Sequence, residues 1–335
     1  MDRTGAPPPY DEGFQADVDT EGKNEIELEG ELTDLLSRTY CVERERISLT
    51  SGAQNANFLL FGSFLRRRDR VAVETPTYMP LRSVAKAACA VETVRRVRRE
   101  EFRPSRKDLE ATLRKGVRLV ALTNLHNPSG AALSDPEMSE ILELTRKKRA
   151  LVLCDEIYRE MQYSAPSSPV FDLGENGIAT SGFTKLYGLG DLRVGWLIGP
   201  EELCRKVDLL RMYNVYRLPT RSLAVAISAL RRKDWFRLRV LRRAKENIGL
   251  LEEWLGEEER VRCRLPDGGL MCLLSLPNKV DDLRLGEVLM DRFSTSVCPG
   301  RYYGAEGHVR ITFSCPPDEF RRGLENVSAA LDLLA

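Results

Sequence analysis

The chain has 335 residues, 42% of them apolar and 30% charged, and a formal net charge of +1. That length exceeds what one hydrophobic core usually sustains, so a large domain with a smaller one beside it is expected, and the composition excludes a disordered or fibrous chain. The balanced charge gives no electrostatic case for nucleic acid or an anionic membrane as the main partner.

The first residues, MDRTGAPPPYDEG, hold no apolar run behind a basic start. Nowhere does the chain reach the roughly 20 apolar residues that span a bilayer, so a cytoplasmic protein without membrane contact is expected. Residues 1–44 read as an arm, polar and Gly/Pro-punctuated at first and helical from Glu27 to Tyr40. From Ile47 to about Gly199, strand-like runs (ISLT, VAVE, LVALT, LVLC, IATSG, VGWLIG) alternate with helical stretches such as ANFLLFGSFL and PEMSEILELTRKKR. This rhythm predicts an α/β domain over residues 45–235, with a mostly parallel sheet covered on both faces and a ligand site outside the carboxyl ends of its strands.

The segment from about Pro200 to Lys245 is helical and charged. Strands near Val261, Leu270–Leu276, Ser296 and Val309–Phe313, then a helix from Pro317, predict a smaller α+β domain over residues 236–335. The basic runs Arg66–Arg68, Arg95–Arg99 and Arg231–Lys245 read as solvated faces. Eight cysteines are scattered without a CxxC pair or a Cys/His ligand spacing, and several of them, in apolar runs such as LVLC and MCLLSL, read as small buried hydrophobes rather than a metal site or disulfides.

Three polar clusters each follow an apolar strand-like run. LVALT leads into NLHNPSG, LVLC into Asp155-Glu156-Ile157-Tyr158, and IATSG into Phe183-Thr184-Lys185. If these strands are parallel, Asn127, Asp155, Tyr158 and Lys185 converge on one crevice, and an amide, a carboxylate, a phenol and a lysine together make a candidate site. A fourth run, ISLT, leads into Ser51-Gly52-Ala53-Gln54-Asn55 at the start of a helix, where backbone amides can hold a phosphate, although SxG there also serves as an ordinary cap. Arg193 lies eight residues after Lys185.

GAQNA, PTY, NLHNPSG, DEIY, FTKLYGLGDLRVGW and HVRITFS follow one another in the order and approximate spacing of the class I/II aminotransferases, which the chain resembles from about Ile47 to Ser314. The resemblance implies the type I pyridoxal-phosphate (PLP) fold, with a large domain on a mostly parallel seven-stranded sheet and a smaller α+β domain. It also implies a PLP cofactor, amino-acid and 2-oxo-acid substrates exchanged by a ping-pong route, and a homodimer. Lys185 looks like the lysine that carries the cofactor as a Schiff base and shuttles the Cα proton. Asp155 would keep the pyridine nitrogen protonated, and Tyr158 and Asn127 would hydrogen-bond the ring oxygen. Tyr78 would stack on the ring. Gly52, Ala53, Gln54, Ser181, Thr184 and Arg193 would surround the phosphate, and Arg310, with Asn127, would take the substrate carboxylate.

The chain departs from the family pattern in two places. Gly182 stands where a hydroxyl ligand of the phosphate is usual, and the amino-terminal part lacks a clear Gly-x-Pro-Asp stretch. The tyrosine that usually reaches the phosphate from a partner subunit is not placed in this sequence, Tyr10 lying too far off to be carried over. His126 and His308, the two histidines, read as structural. A PLP lyase acting by carbon–sulfur elimination or decarboxylation is the alternative within the fold, and a non-enzymatic interaction module is a third reading, disfavoured because it has no use for Lys185, Asp155, Tyr158 and Arg310 together.

Overall fold

The computed structural model describes residues 4–18 and 22–334, so residues 1–3 and 19–21 of the expected arm lie outside the described residues. Seven strands form the larger sheet: β1 (Ile47–Thr50), β2 (Arg70–Thr75), β3 (Ala90–Arg95), β4 (Leu119–Thr123), β5 (Leu151–Asp155), β6 (Gly177–Gly182) and β7 (Gly195–Ile198). Their order is β1-β7-β6-β5-β4-β2-β3. β7 runs antiparallel to both of its neighbours, while β6, β5, β4, β2 and β3 pair in parallel. A four-stranded antiparallel sheet follows, from β8 (Arg262–Cys263), β9 (Met271–Ser275), β10 (Cys298–Pro299) and β11 (His308–Thr312), in the order β10-β11-β9-β8.

The helices are α1 (Glu25–Tyr40), α2 (Ala53–Phe64), α3 (Met79–Ala88), α4 (Arg106–Arg114), α5 (Asp135–Arg146), α6 (Val170–Leu173), α7 (Glu201–Arg211), α8 (Thr220–Arg231), α9 (Lys233–Glu257), α10 (Asp282–Phe293) and α11 (Pro317–Asp332). α1 starts two residues before the sequence-based boundary because Asn24 forms a capping box with Glu27. Its Oδ1 accepts from the amides of Ile26 and Glu27, while Glu27 accepts from the Asn24 amide. α5 has the same device in Ser134 and Glu137, and it ends at Arg146 because Arg149 turns into the left-handed region at φ 54°.

Side-chain alternation splits the large sheet between two apolar layers. Leu119, Ala121, Leu153, Ile178 and Leu197 pack with Leu59 and Leu60 of α2 and Val207 of α7. Val120, Leu122, Val152, Cys154 and Ile198 face the opposite layer, which runs on through α1, α9 and the small sheet. With both faces covered, the central strands are continuous apolar runs, which is why they were legible. β3 was not, because it is an edge strand whose half-solvated face tolerates Glu92 and Arg95.

The reading of every basic run as solvated needs correction at two residues. Arg96 is 1% exposed, and its guanidinium stands 2.6 Å from Glu74 and donates to the carbonyls of Thr123 and Phe102. Arg239 is 6% exposed and paired with Glu12. Arg96 is tolerated because Glu74 is buried with it and two carbonyls accept from it, and Arg239 because it donates to the carbonyls of Pro7 and Pro8 beside the exposed Glu12; a local charge pattern carries no trace of such contacts. Among the described residues no helix is long and apolar enough to cross a membrane.

Candidate active site

β4, β5 and β6 are parallel, so their carboxyl ends share one edge of the sheet, and the polar residues after each strand meet there. β1 points the same way across antiparallel β7, which brings the Ser51-Gly52 turn to that edge together with Arg193, just ahead of β7.

Lys185 follows the end of β6. Its Nζ donates to Thr4 Oγ1 at 2.8 Å, and Thr4 Oγ1 lies 2.6 Å from the Tyr158 hydroxyl. Asp155, which closes β5, is buried. It accepts from Asn57 Nδ2 at 2.9 Å and from the Ile157 amide at 3.2 Å, and Asn57 is itself held by the Thr180 hydroxyl at 2.9 Å. Burial pushes the Asp155 carboxyl above its usual range, against the opposing pull of Asn57, the Ile157 amide and the Lys185 charge. A carboxylate in that state gains from a cationic partner.

At one end of this group lies an anion cup. Gly52 starts α2 at φ +83°, a conformation that favours glycine, and it offers no side-chain cap. The amides of Ala53 and Gln54 take no acceptor among the described residues. Arg193 covers them, donating to the Ser51 carbonyl at 3.2 Å. Two open amides at a helix start beneath a guanidinium could hold a dianion such as a phosphate. Tyr78, just before α3, reaches Gln54 Oε1 at 3.4 Å.

The glycine at 182 now has a cause. A Cβ there would stand 3.5 Å from the Ala53 amide, facing the cup, but only 2.8 Å from the Val194 carbonyl and 3.1 Å from Gly195 Cα. The strands approach too closely for any side chain. Ser181 does not replace it, and its assignment to the phosphate is corrected: Thr180 and Gly182 face the site, so strand alternation turns Ser181 to the other side, where it lines a cleft with Tyr40, Glu156, Arg159 and Trp196. Thr184 stands beside Gly190, with its carbonyl against Gly5.

At the opposite end Arg310, on β11, is 4% exposed and donates to Asn127 Oδ1 at 3.0 Å, with its guanidinium 4.9 Å from the centre of the Tyr303 ring. That contact leaves Asn127 Nδ2 as a donor. Asn127 is held from behind, its amide donating to Thr123 Oγ1 at 3.2 Å and that hydroxyl donating to Glu74 at 2.6 Å, so the buried Glu74–Arg96 pair underlies this end of the site. His126 takes no part. Its Nε2 donates to the Pro76 carbonyl at 2.9 Å, its Nδ1 accepts from Ser129 at 2.7 Å, and burial pushes its pKa well down, leaving the ring neutral. Among the described residues no cluster of His, Cys, Asp or Glu is placed to hold a metal ion.

Sequence reasoning missed Asn57, Thr180 and Thr4. Asn57 carried a signal, as a polar residue inside the apolar run of α2, whereas Thr4 carried none.

Three comparisons with known proteins bear on this geometry. The family model described as aminotransferase class I and II matches residues 20–327. Capreomycidine synthase of Streptomyces vinaceus is 32% identical, over 85% of this chain and 74% of that protein, and the arginine–pyruvate transaminase of Pseudomonas aeruginosa is 27% identical, over 88% and 77%. The crystal structure of an aromatic aminotransferase from Pyrococcus horikoshii superposes with a TM-score of 0.86 at 19% identity, over 98% of this chain and 95% of that one, a likeness of fold.

Proposed function

The chain belongs to the aminotransferase class I and II family and is a PLP-dependent aminotransferase, and from that premise we propose how its own residues move an amino group from an L-amino acid to a 2-oxo acid. The observation that carries the reading is one edge of the sheet holding Lys185, Asp155 and Tyr158, with an anion cup at one end and the Arg310–Asn127 pair at the other. The residues fit the cofactor: two open amides under Arg193 suit its phosphate, and a buried carboxylate raised by burial suits a protonated ring nitrogen.

When bound, PLP supplies an electron sink for the pair left behind as the substrate Cα–H bond breaks. Lys185 is the amine that attaches the cofactor and, once displaced by the substrate, takes and returns the Cα proton. Asp155, oriented by Asn57, would keep the ring nitrogen protonated. Tyr158 and Asn127 Nδ2 would donate to the ring oxygen, Tyr78 would pack against the ring, and Gly52, Ala53, Gln54, Thr184 and Arg193 would hold the phosphate.

Arg310 receives the substrate carboxylate as a two-donor fork, which a lysine cannot reproduce. Arg310→Lys is expected to raise KM for the amino donor and lower kcat/KM about ten- to a hundred-fold, or about 1.5–3 kcal/mol, with cofactor attachment unchanged. Steady-state kinetics at the parent's kcat/KM would place the carboxylate elsewhere.

The division of the chain at about residue 235 and a homodimeric assembly belong to the same proposal. The large sheet ends at Ile198 and the small sheet begins at Arg262. Met212, Tyr213 and Tyr216 are 54%, 85% and 61% exposed, an apolar surface suited to a second copy.

The elimination and decarboxylation alternative draws no support from the named relatives. Stoichiometry tests the reaction directly. With an amino donor alone, each active site should release one 2-oxo acid and no ammonia, then stop until a 2-oxo acid acceptor is added. Continuous ammonia release would overturn the transaminase reading.

A further inference from the structure

Residues Thr4–Pro9 pass over the turn that carries Lys185, and they precede the residues 20–327 that the family model matches. The fit is backbone to backbone. The Ala6 amide donates to the Lys185 carbonyl at 2.8 Å. A Cβ on Gly5 would stand 3.0 Å from the Thr184 carbonyl, and one on Gly188, at φ +67°, would stand 2.3 Å from the Pro7 carbonyl. Glycine at both places lets the two segments touch. From the other side the buried Arg239 donates to the carbonyls of Pro7 and Pro8 at 2.7 and 2.9 Å and pairs with Glu12 at 2.9 Å. The segment is therefore held at a set height, and that height delivers Thr4, 0% exposed, between Lys185 Nζ and the Tyr158 hydroxyl.

We propose that Thr4 is a positioning residue of the reaction: its hydroxyl accepts an N–H of the free Lys185 amine and, once the cofactor is attached, donates its own proton to the Tyr158 oxygen. The direction follows from the donors. Lys185 Nζ donates to Thr4 Oγ1, and once Tyr158 commits its proton to the cofactor's ring oxygen, Thr4 is the member left to donate across the 2.6 Å contact. A hydroxyl that receives a hydrogen bond on its oxygen is a stronger donor, so Thr4 strengthens the bond from Tyr158 to the ring oxygen. It also points the Lys185 amine toward the phenol before the cofactor arrives. The inference rests on the roles proposed above for Lys185 and Tyr158.

Among the described residues, the titratable groups around this chain of bonds include Lys185 itself, Asp155, whose interaction with Lys185 is electrostatic, Tyr158, and the Arg239–Glu12 pair behind the segment. Thr4→Val removes the hydroxyl at constant shape and leaves every one of these side chains in place, taking away only the hydrogen bonds that Thr4 makes. The test is a pH titration of the visible absorbance of the bound cofactor in the parent, Thr4→Val, Thr4→Ala and Thr4→Ser holoenzymes. With a weaker donor on the ring oxygen, Thr4→Val and Thr4→Ala should both move the midpoint upward, by about three- to ten-fold in the proton equilibrium, or roughly 0.5–1 pH unit. Thr4→Ser should titrate with the parent. Midpoints in Thr4→Val and Thr4→Ala equal to the parent's would overturn the proposal. Borohydride reduction of the same samples keeps the two readings apart. Label on the Lys185 peptide in every protein leaves the Lys185 assignment standing whatever the midpoints do, and label elsewhere sinks that assignment first.

Discussion

Lys185→Ala should give a protein that holds the cofactor without covalent attachment, so that borohydride fixes none of it to the chain, and that has lost transamination. In the parent, borohydride should fix the cofactor to the peptide containing Lys185, and the purified protein should be yellow. The argument is one of position. Lys185 leaves the carboxyl end of β6 with its Nζ turned toward the Tyr158 hydroxyl through Thr4, and Asp155 lies within electrostatic reach. On the proposed reading the amine has two tasks there, holding the cofactor and moving the Cα proton. The proton-transfer share alone is typically worth on the order of 10²–10⁴-fold, so the loss in kcat should be at least that large. Retention of covalent labelling on a different lysine, or a rate near the parent's, would remove Lys185 from the centre of the site.

Asp155→Asn should keep the fold, by circular dichroism, and lower kcat on the order of 10²–10³-fold, or about 2.7–4 kcal/mol, the range found when one preorganised partner of a developing charge is removed. An amide in place of the carboxylate cannot keep a ring nitrogen protonated, so the electron pair from the Cα–H bond loses its sink. A pH signature accompanies the change. Burial raises the Asp155 carboxyl in the folded chain, so the folded state holds this proton more tightly than the unfolded state. In the cofactor-free protein, the stability contributed by the proton is fully present below the ordinary carboxylate range and is lost as pH rises through the raised folded value. Thermal unfolding of cofactor-free Asp155→Asn should lack that slope, and cofactor binding should remove it from the parent by supplying the cationic partner. A variant with the parent's kcat would refute the assignment.

What the sequence determined by itself is what local periodicity and strand-end chemistry encode. Continuous apolar runs marked β4 and β5 because a parallel strand covered on both faces has no solvated side to break the pattern. The residues that follow those runs were legible as a site because parallel strands must end on one edge. The starts of α1 and α5 were also written locally, in Asn24 with Glu27 and Ser134 with Glu137, whose side-chain hydrogen bonds reach only three residues, but the reading by periodicity passed over them and began the first helix two residues late.

Only the tertiary structure could decide features set by contacts between distant segments. Arg96 sits in a run that reads as solvated, and it is buried because Glu74 meets it inside the fold. Ser181 and Gly182 are neighbours in the sequence, yet strand alternation and the approach of Val194 and Gly195 turn the first away from the phosphate cup and forbid a side chain on the second. Thr4 reaches Lys185 across 181 positions of chain, held there by Arg239 and by two glycines whose missing side chains let the backbones touch. Close packing of backbone on backbone leaves no periodic mark on either partner, so the fold alone determines it.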